Sequence, residues 1–143
     1  MKTLKTVILT FSFLLCATIL VKANPVPKAK RTLDYVLNKY IDCTSKGKIE
    51  NFSKLLDNSF KIHINYNGKI QTYNKKEIVK FMKETENLLH NCNSTYTLVE
   101  SNANFSIAKV EMEYPNFTRT DYITMRNNID NEWIITNVFI TYD

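Results

Sequence analysis

Residues 91–143 read NCNSTYTLVESNANFSIAKVEMEYPNFTRTDYITMRNNIDNEWIITNVFITYD, and the periodicity of this stretch points to four antiparallel strands. Between Asn104 and Tyr114 apolar and polar residues alternate with a period of two, the mark of a strand with one buried face. Ala108, Val110, Met112 and Tyr114 share one side, and Lys109, Glu111 and Glu113 share the other. Pro115 and Asn116 interrupt the run. A two-residue hairpin there sets Tyr114 opposite Phe117, Met112 opposite Arg119 and Val110 opposite Asp121. That register predicts Ile123 and Met125 on the buried side and Thr118, Thr120, Thr124 and Arg126 on the solvent side. A turn at Asp130 and Asn131 leads into EWIITNVFITY, residues 132–142, whose β-branched and aromatic content predicts a central or doubly covered strand.

Upstream the period changes. Leu33, Val36, Leu37, Tyr40 and Ile41 recur at helical spacing, Asp34 suits a first turn, and Gly47 supplies a left-handed stop. Ile49, Phe52, Leu55 and Leu56 predict a shorter helix ending near Asp57. A strand over SFKIHINY, residues 59–66, puts Phe60, Ile62, Ile64 and Tyr66 on one face and Lys61, His63 and Asn65 on the other. Asn67 and Gly68 predict a tight turn into a partner strand, KIQTY. Asn74, with Glu77 three residues on, reads as a capping box that opens a third helix carrying Ile78, Phe81, Met82, Leu88 and Leu89. Helices segregated to one face of an antiparallel sheet define an α+β domain.

The amino terminus is read apart from the fold. Lys2 and Lys5 precede an apolar run over residues 7–20, and Val21, Lys22 and Ala23 follow it. This pattern predicts a secretory signal peptide over residues 1–23, cut after Ala23. The run is shorter than the roughly 20 residues of a membrane span. Residues 24–29 then form a linker that two prolines keep extended, and residues 30–143 form one domain with a single core. The expected destination is export, to a periplasm or the exterior. Three of the 19 basic residues, Lys2, Lys5 and Lys22, fall in the leader, which leaves 16 against 14 acidic residues. Without Lys28, Lys30 and Arg31 the balance is 13 to 14, so charge argues neither for nucleic acid nor for an anionic membrane.

Residues 47–60 (GKIENFSKLLDNSF), Gly68, the helix holding Ile78 and Phe81, and residues 131–140 (NEWIITNVFI) resemble the nuclear transport factor 2-like superfamily. The similarity extends to secreted bacterial members of the lumazine-binding-like and polyketide-cyclase-like (SnoaL-like) groups. The resemblance implies a cystatin-like cone: three helices at the amino-terminal side of a strongly bent antiparallel sheet, with a pocket between the helices and the inner face. One departure is Lys48, where many members carry Asp after the glycine. The superfamily includes isomerases, dehydratases and cyclases as well as adaptors without catalysis, so fold alone does not set function.

An enzyme of this shape needs a base and a polarising donor facing the pocket. The strand register offers Arg119 and Asp121 on the inner face, with Tyr114 across the hairpin, Tyr142 near Arg119, and Tyr35 and Tyr40 on the first helix. Tyr35, Tyr114, Arg119, Asp121 and Tyr142 form the candidate ligand-binding set, and Asp121 and Arg119 are the only catalytic candidates. The plainer alternative is a salt bridge at the rim. His63 shares a face with Lys61 and Asn65, which predicts a solvent position, and His90 is read as a charge at the end of the third helix. With no CxxC and no HxxxH, no metal and no cofactor are expected. Cys43 and Cys92 could form a disulfide in an oxidising compartment or remain two buried thiols. There is no Gly-rich phosphate loop and no GxSxG.

Phe105, Ile107, Tyr122, Trp133, Ile135 and Phe139 are predicted to gather on the outer sheet face, a patch that would suit a homodimer. The function expected is an exported, non-catalytic domain that binds a small apolar or aromatic ligand or a partner. The alternatives are a cofactor-free lyase or isomerase using Asp121 as base, and a structural homodimer whose pocket is filled by its own side chains. Export gives the first testable outcome. Mass spectrometry of the protein from its native host is expected to find Asn24 as the first residue; an intact Met1 chain in the cytosol would end that reading.

Overall fold

The structure, a computed structural model, describes residues 30–143; the expected signal peptide and linker lie outside the described residues. The elements run α1 (Leu33–Lys46), α2 (Phe52–Leu55), β1 (Leu56–Tyr66), β2 (Lys69–Asn74), α3 (Lys75–Glu84), β3 (Asn93–Ser101), β4 (Phe105–Glu113), β5 (Thr118–Asn127) and β6 (Trp133–Tyr142). The six strands form one curled sheet in the order β2-β1-β6-β5-β4-β3. Among the described residues no helix is long and apolar enough to cross a membrane.

Local chemistry explains the helix limits. Thr32 caps α1 by accepting from the Tyr35 N–H at 3.2 Å, and Gly47 ends it at φ 62°, its N–H donating to the Asp42 carbonyl. A Cβ at Gly47 would stand 2.6 Å from the backbone nitrogens of Asn87 and Leu88, so the position excludes a side chain both by conformation and by space. Asn51, also left-handed at φ 63°, precedes the single turn of α2. The expected end of that helix near Asp57 is too late, because the chain is already extended at Leu56 and Asp57 belongs to β1. The capping box at α3 is complete: Asn74 accepts from the N–H groups of Lys76 and Glu77, and Glu77 accepts from the Asn74 N–H at 2.8 Å. The helix stops at Glu84, so Leu88 and Leu89 lie beyond it, in the segment that approaches Gly47, and both are exposed.

The β4–β5 hairpin has the register that the sequence predicts, with Val110 paired to Asp121 and Met112 to Arg119. The Tyr114 N–H donates to the Phe117 carbonyl at 2.9 Å. Asn67 and Gly68, both at positive φ, make the two-residue turn between β1 and β2.

Two expectations about the sheet are corrected. It is not wholly antiparallel: β1 pairs with β6 in parallel, Ile62 beside Val138 and Ile64 beside Ile140. Alternation in a sequence reports which face a residue occupies and says nothing of the direction of the neighbouring strand. The second correction is at β6, where the pairing with β5 shifts between Thr124 opposite Asn137 and Met125 opposite Ile135. Thr136 is the extra residue of a bulge, its hydroxyl donating to the Thr124 carbonyl at 3.1 Å. The bulge reverses the parity of the residues before it. Ile135 is therefore fully buried in the core and Trp133 packs against that core, so neither lies on the outer face. Thr120, expected in solvent, is also buried.

The core lies between α1 and the inner face of the sheet. Val36, Leu37 and Tyr40 meet Val110, Met112, Ile123, Met125, Val138 and Ile140 there, each almost wholly removed from water. Each fully buried large aliphatic side chain contributes about 1.5–3 kcal/mol. This burial holds α1 across the concave face and leaves a hollow at one end.

Candidate functional site

Strand β5 carries the polar centre of the concave face. Asp121 points inward between Val110 on β4 and Ile140 on β6, and is 0 % exposed. Its Oδ1 accepts from Arg119 Nε at 2.8 Å, and its Oδ2 accepts from Arg119 Nη2 at 2.7 Å and from the Tyr40 hydroxyl at 2.6 Å. The arginine grip is the bidentate fork that matches guanidinium to carboxylate. Tyr40 reaches it from α1, 81 residues earlier in the chain.

The proton positions follow from the surroundings. Burial, and then the negative charge of Asp121, push the Tyr40 phenol well above its ordinary pKa of 10, so Tyr40 is the donor in its bond to Asp121. For Arg119 burial is the largest single influence and works against the charge, but the charge and hydrogen bonds of Asp121, together with Tyr40 and Tyr142, raise its pKa overall. The cluster therefore holds one cation, one anion and one neutral phenol.

The hollow beside this cluster is a cavity of about 280 Å³. Its walls are Tyr40, Cys43 and Thr44 from α1, Ile62 and Ile64 from β1, and Ile78, Phe81, Met82 and Thr85 from α3 and its end. Gly47, Phe52, Leu88, His90, Arg119, Ile140 and Tyr142 complete it. Asp121 is not part of the wall. It stands behind Arg119, whose side chain keeps 16 % exposure, and Arg119 Nη1 has no hydrogen-bond partner among the described residues.

The candidate residues distribute unevenly around this cavity. Arg119 and Tyr142 line it and are cross-strand neighbours. Tyr114 stands one layer back, its hydroxyl hydrogen-bonded to His90 Nδ1 at 3.0 Å and its ring stacked on Phe117 at 4.4 Å. Burial, and then the neighbouring Cys92, push the Tyr114 phenol up to about 12. Tyr35 is elsewhere, in a recess with Arg31, Lys54 and Glu132. His90 does not end α3, since it lies six residues past Glu84, donates its N–H to the Ser45 carbonyl at 2.8 Å and faces the cavity. His63 is on the outer face, hydrogen-bonded to Thr72 and stacked on Phe139. Cys43 and Cys92 form no disulfide; the Cys43 thiol, pushed up to about 11 by burial, donates to the Lys48 carbonyl. Among the described residues no three His, Cys, Asp or Glu side chains gather as a metal site would require.

Tyr40 and His90 are the members that sequence reasoning left out of the set. Tyr40 had a usable signal. It falls in the apolar stripe of α1 beside Leu37 and Ile41, and a buried tyrosine hydroxyl needs a partner. His90 had none, because its direction depends on where residues 85–92 are laid against the end of α1.

The clamp makes a thermodynamic prediction. Removing one partner of a buried pair strands the other charge, at roughly 3–5 kcal/mol, against about 0–1 kcal/mol for an exposed pair. Asp121→Ala is expected to lose stability in the larger range in chemical denaturation. Adding Arg119→Met should recover much of it, short of full recovery because the Tyr40 hydroxyl stays unpaired at about 1–3 kcal/mol. A single variant as stable as wild type would place the pair at the surface.

Residues 28–139 match the family model described as "Putative lumazine-binding". Among solved structures, the chain is similar to a nuclear transport factor 2-like protein of unknown function from Silicibacter pomeroyi. That match has 11% identity and a TM-score of 0.65, covering 78% of this chain and 92% of that one. A second such protein, from Methylobacillus flagellatus, matches at 21% identity and a TM-score of 0.61, covering 77% and 88%. No curated protein sequence is similar. These structural likenesses show the fold alone. The family match spans nearly all of the described residues, and the chain belongs to the "Putative lumazine-binding" family, within the nuclear transport factor 2-like superfamily.

Proposed function

We propose that this is an exported, non-catalytic binding domain whose cavity takes a small apolar or aromatic ligand, with Arg119 as its one charged contact. The observation that carries this reading is the enclosure of Asp121. A general base must bring a lone pair within hydrogen-bond reach of the substrate proton. Asp121 is fully buried, accepts three hydrogen bonds and is absent from the cavity wall. Its work is to hold Arg119 in place. This weighs against the lyase or isomerase reading, and a hollow of about 280 Å³ weighs against a pocket filled by the chain's own side chains.

What remains for a ligand is an apolar surround with a guanidinium edge on one side. Such a site favours an apolar body with one oxygen acceptor, because fixed polar groups orient a ligand and the apolar wall supplies affinity. Saturation-transfer NMR with a panel of aromatic and aliphatic monoacids at sub-millimolar concentration tests it. Binders are expected to compete with one another and to lose their signal with Thr44→Trp, which fills the cavity from α1. Binding that persists unchanged in a folded Thr44→Trp protein, or no binder in the panel, would refute the reading.

The homodimer is also proposed. Tyr122 at 41 % exposure and Phe105 at 37 % keep an apolar outer surface, with Ile107 and Phe139 half-buried beside them. A second copy would cover this surface. Phe139→Lys is expected to shift the protein toward monomer in sedimentation at micromolar concentration. A wild-type protein that is monomeric at high concentration would rule the dimer out.

A further inference from the structure

The α3 helix carries an apolar stripe that the core only partly uses. Met82 is buried, Ile78 is half-buried, and Phe81 remains 56 % exposed. Phe81 stands between two hollows. The cavity beside Arg119 and an outer recess of about 350 Å³ share Ile64, Ile78 and Phe81 as walls. The reason lies in β1, whose inward residues Phe60 and Ile62 are buried in the core while Ile64 is only half-buried. Past the reach of α1 the apolar face of the β1–β2 hairpin, Ile64 with Tyr73, continues under α3. Ligand sites usually occupy about 300–1,000 Å³. The inner cavity alone falls just short of that range, and the two together fall well inside it.

The polar groups of the combined hollow are unevenly placed. Its inner end has the guanidinium of Arg119, whose Nη1 has no hydrogen-bond partner among the described residues. The outer recess has Glu77, Lys80 and Glu84 around it, and the Lys80 ammonium is already 3.8 Å from Glu84. Two carboxylates against one ammonium make that recess net negative, which disfavours a second anionic group there. The geometry points to an elongated monoacid as ligand: we propose that its carboxyl end lies against Arg119 and its apolar chain passes the Ile64, Ile78 and Phe81 waist into the outer recess. This rests on the binding function proposed above and adds its direction and length.

Calorimetry with hexanoate and dodecanoate, and tryptophan quenching in Tyr73→Trp, test the inference. Trp133, the one native tryptophan, lines neither hollow and serves as the reference. Dodecanoate is expected to bind wild type at least about tenfold more tightly than hexanoate, since each added methylene leaves water. 12-Bromododecanoate should quench the new tryptophan and 2-bromododecanoate should not. The opposite quenching pattern would overturn the proposed direction. Equal affinity for the two acids would overturn the second subsite while leaving the inner cavity as a binding site, and this holds even if Tyr73→Trp fails to fold. Binding of neither acid, with none from the monoacid panel, would remove both readings together.

Discussion

The carboxylate of Asp121, wholly enclosed and held by Arg119 and Tyr40, is the constraint around which the concave face is built. A buried ion pair is costly to desolvate, and it survives only where geometry satisfies every lone pair. Here the arginine comes from the same strand and the phenol from α1, so the clamp can be complete only when α1 lies across the sheet in one position. The surrounding core could tolerate a small sliding of the helix. The Tyr40–Asp121 hydrogen bond at 2.6 Å could not.

The same clamp shapes the cavity. Engaging the Nε and Nη2 edge of Arg119 leaves Nη1 without a partner among the described residues, on a side chain that lines the hollow. The protein thereby presents a fixed donor in an apolar space while neutralising the charge behind it. A mobile lysine in the same place would be a point charge without that planar fork. Tyr142, across the strand pair from Arg119, and His90, held by Tyr114, form the neighbouring wall.

One inserted residue sets much of the rest. The bulge at Thr136 lets β6 bury Val138 and Ile140 on one side of it and Ile135 on the other, although a regular strand would send these to opposite faces. Trp133 comes against the core by the same reversal, and the outer face is left with fewer aromatics. Bulges also bend a sheet, and further register shifts occur in β1 and in β3. The concavity that holds α1 and the cavity is consistent with these irregularities.

Features that rest on local period and local turn chemistry were legible from the residues alone. The Pro115–Asn116 break and the alternation of Ala108, Val110 and Met112 placed Arg119 and Asp121 on the inner face, in the register the structure has. The Asn67–Gly68 turn, the Gly47 stop and the Asn74 capping box were equally legible, because each depends on residues within a few positions of one another. That β1 runs parallel to β6, that Thr136 bulges, that Tyr35 misses the cavity and that His90 faces it depend on packing between distant segments. Those outcomes follow from how distant segments compete to bury the same surface, and a single strand or helix carries no record of which competitor wins.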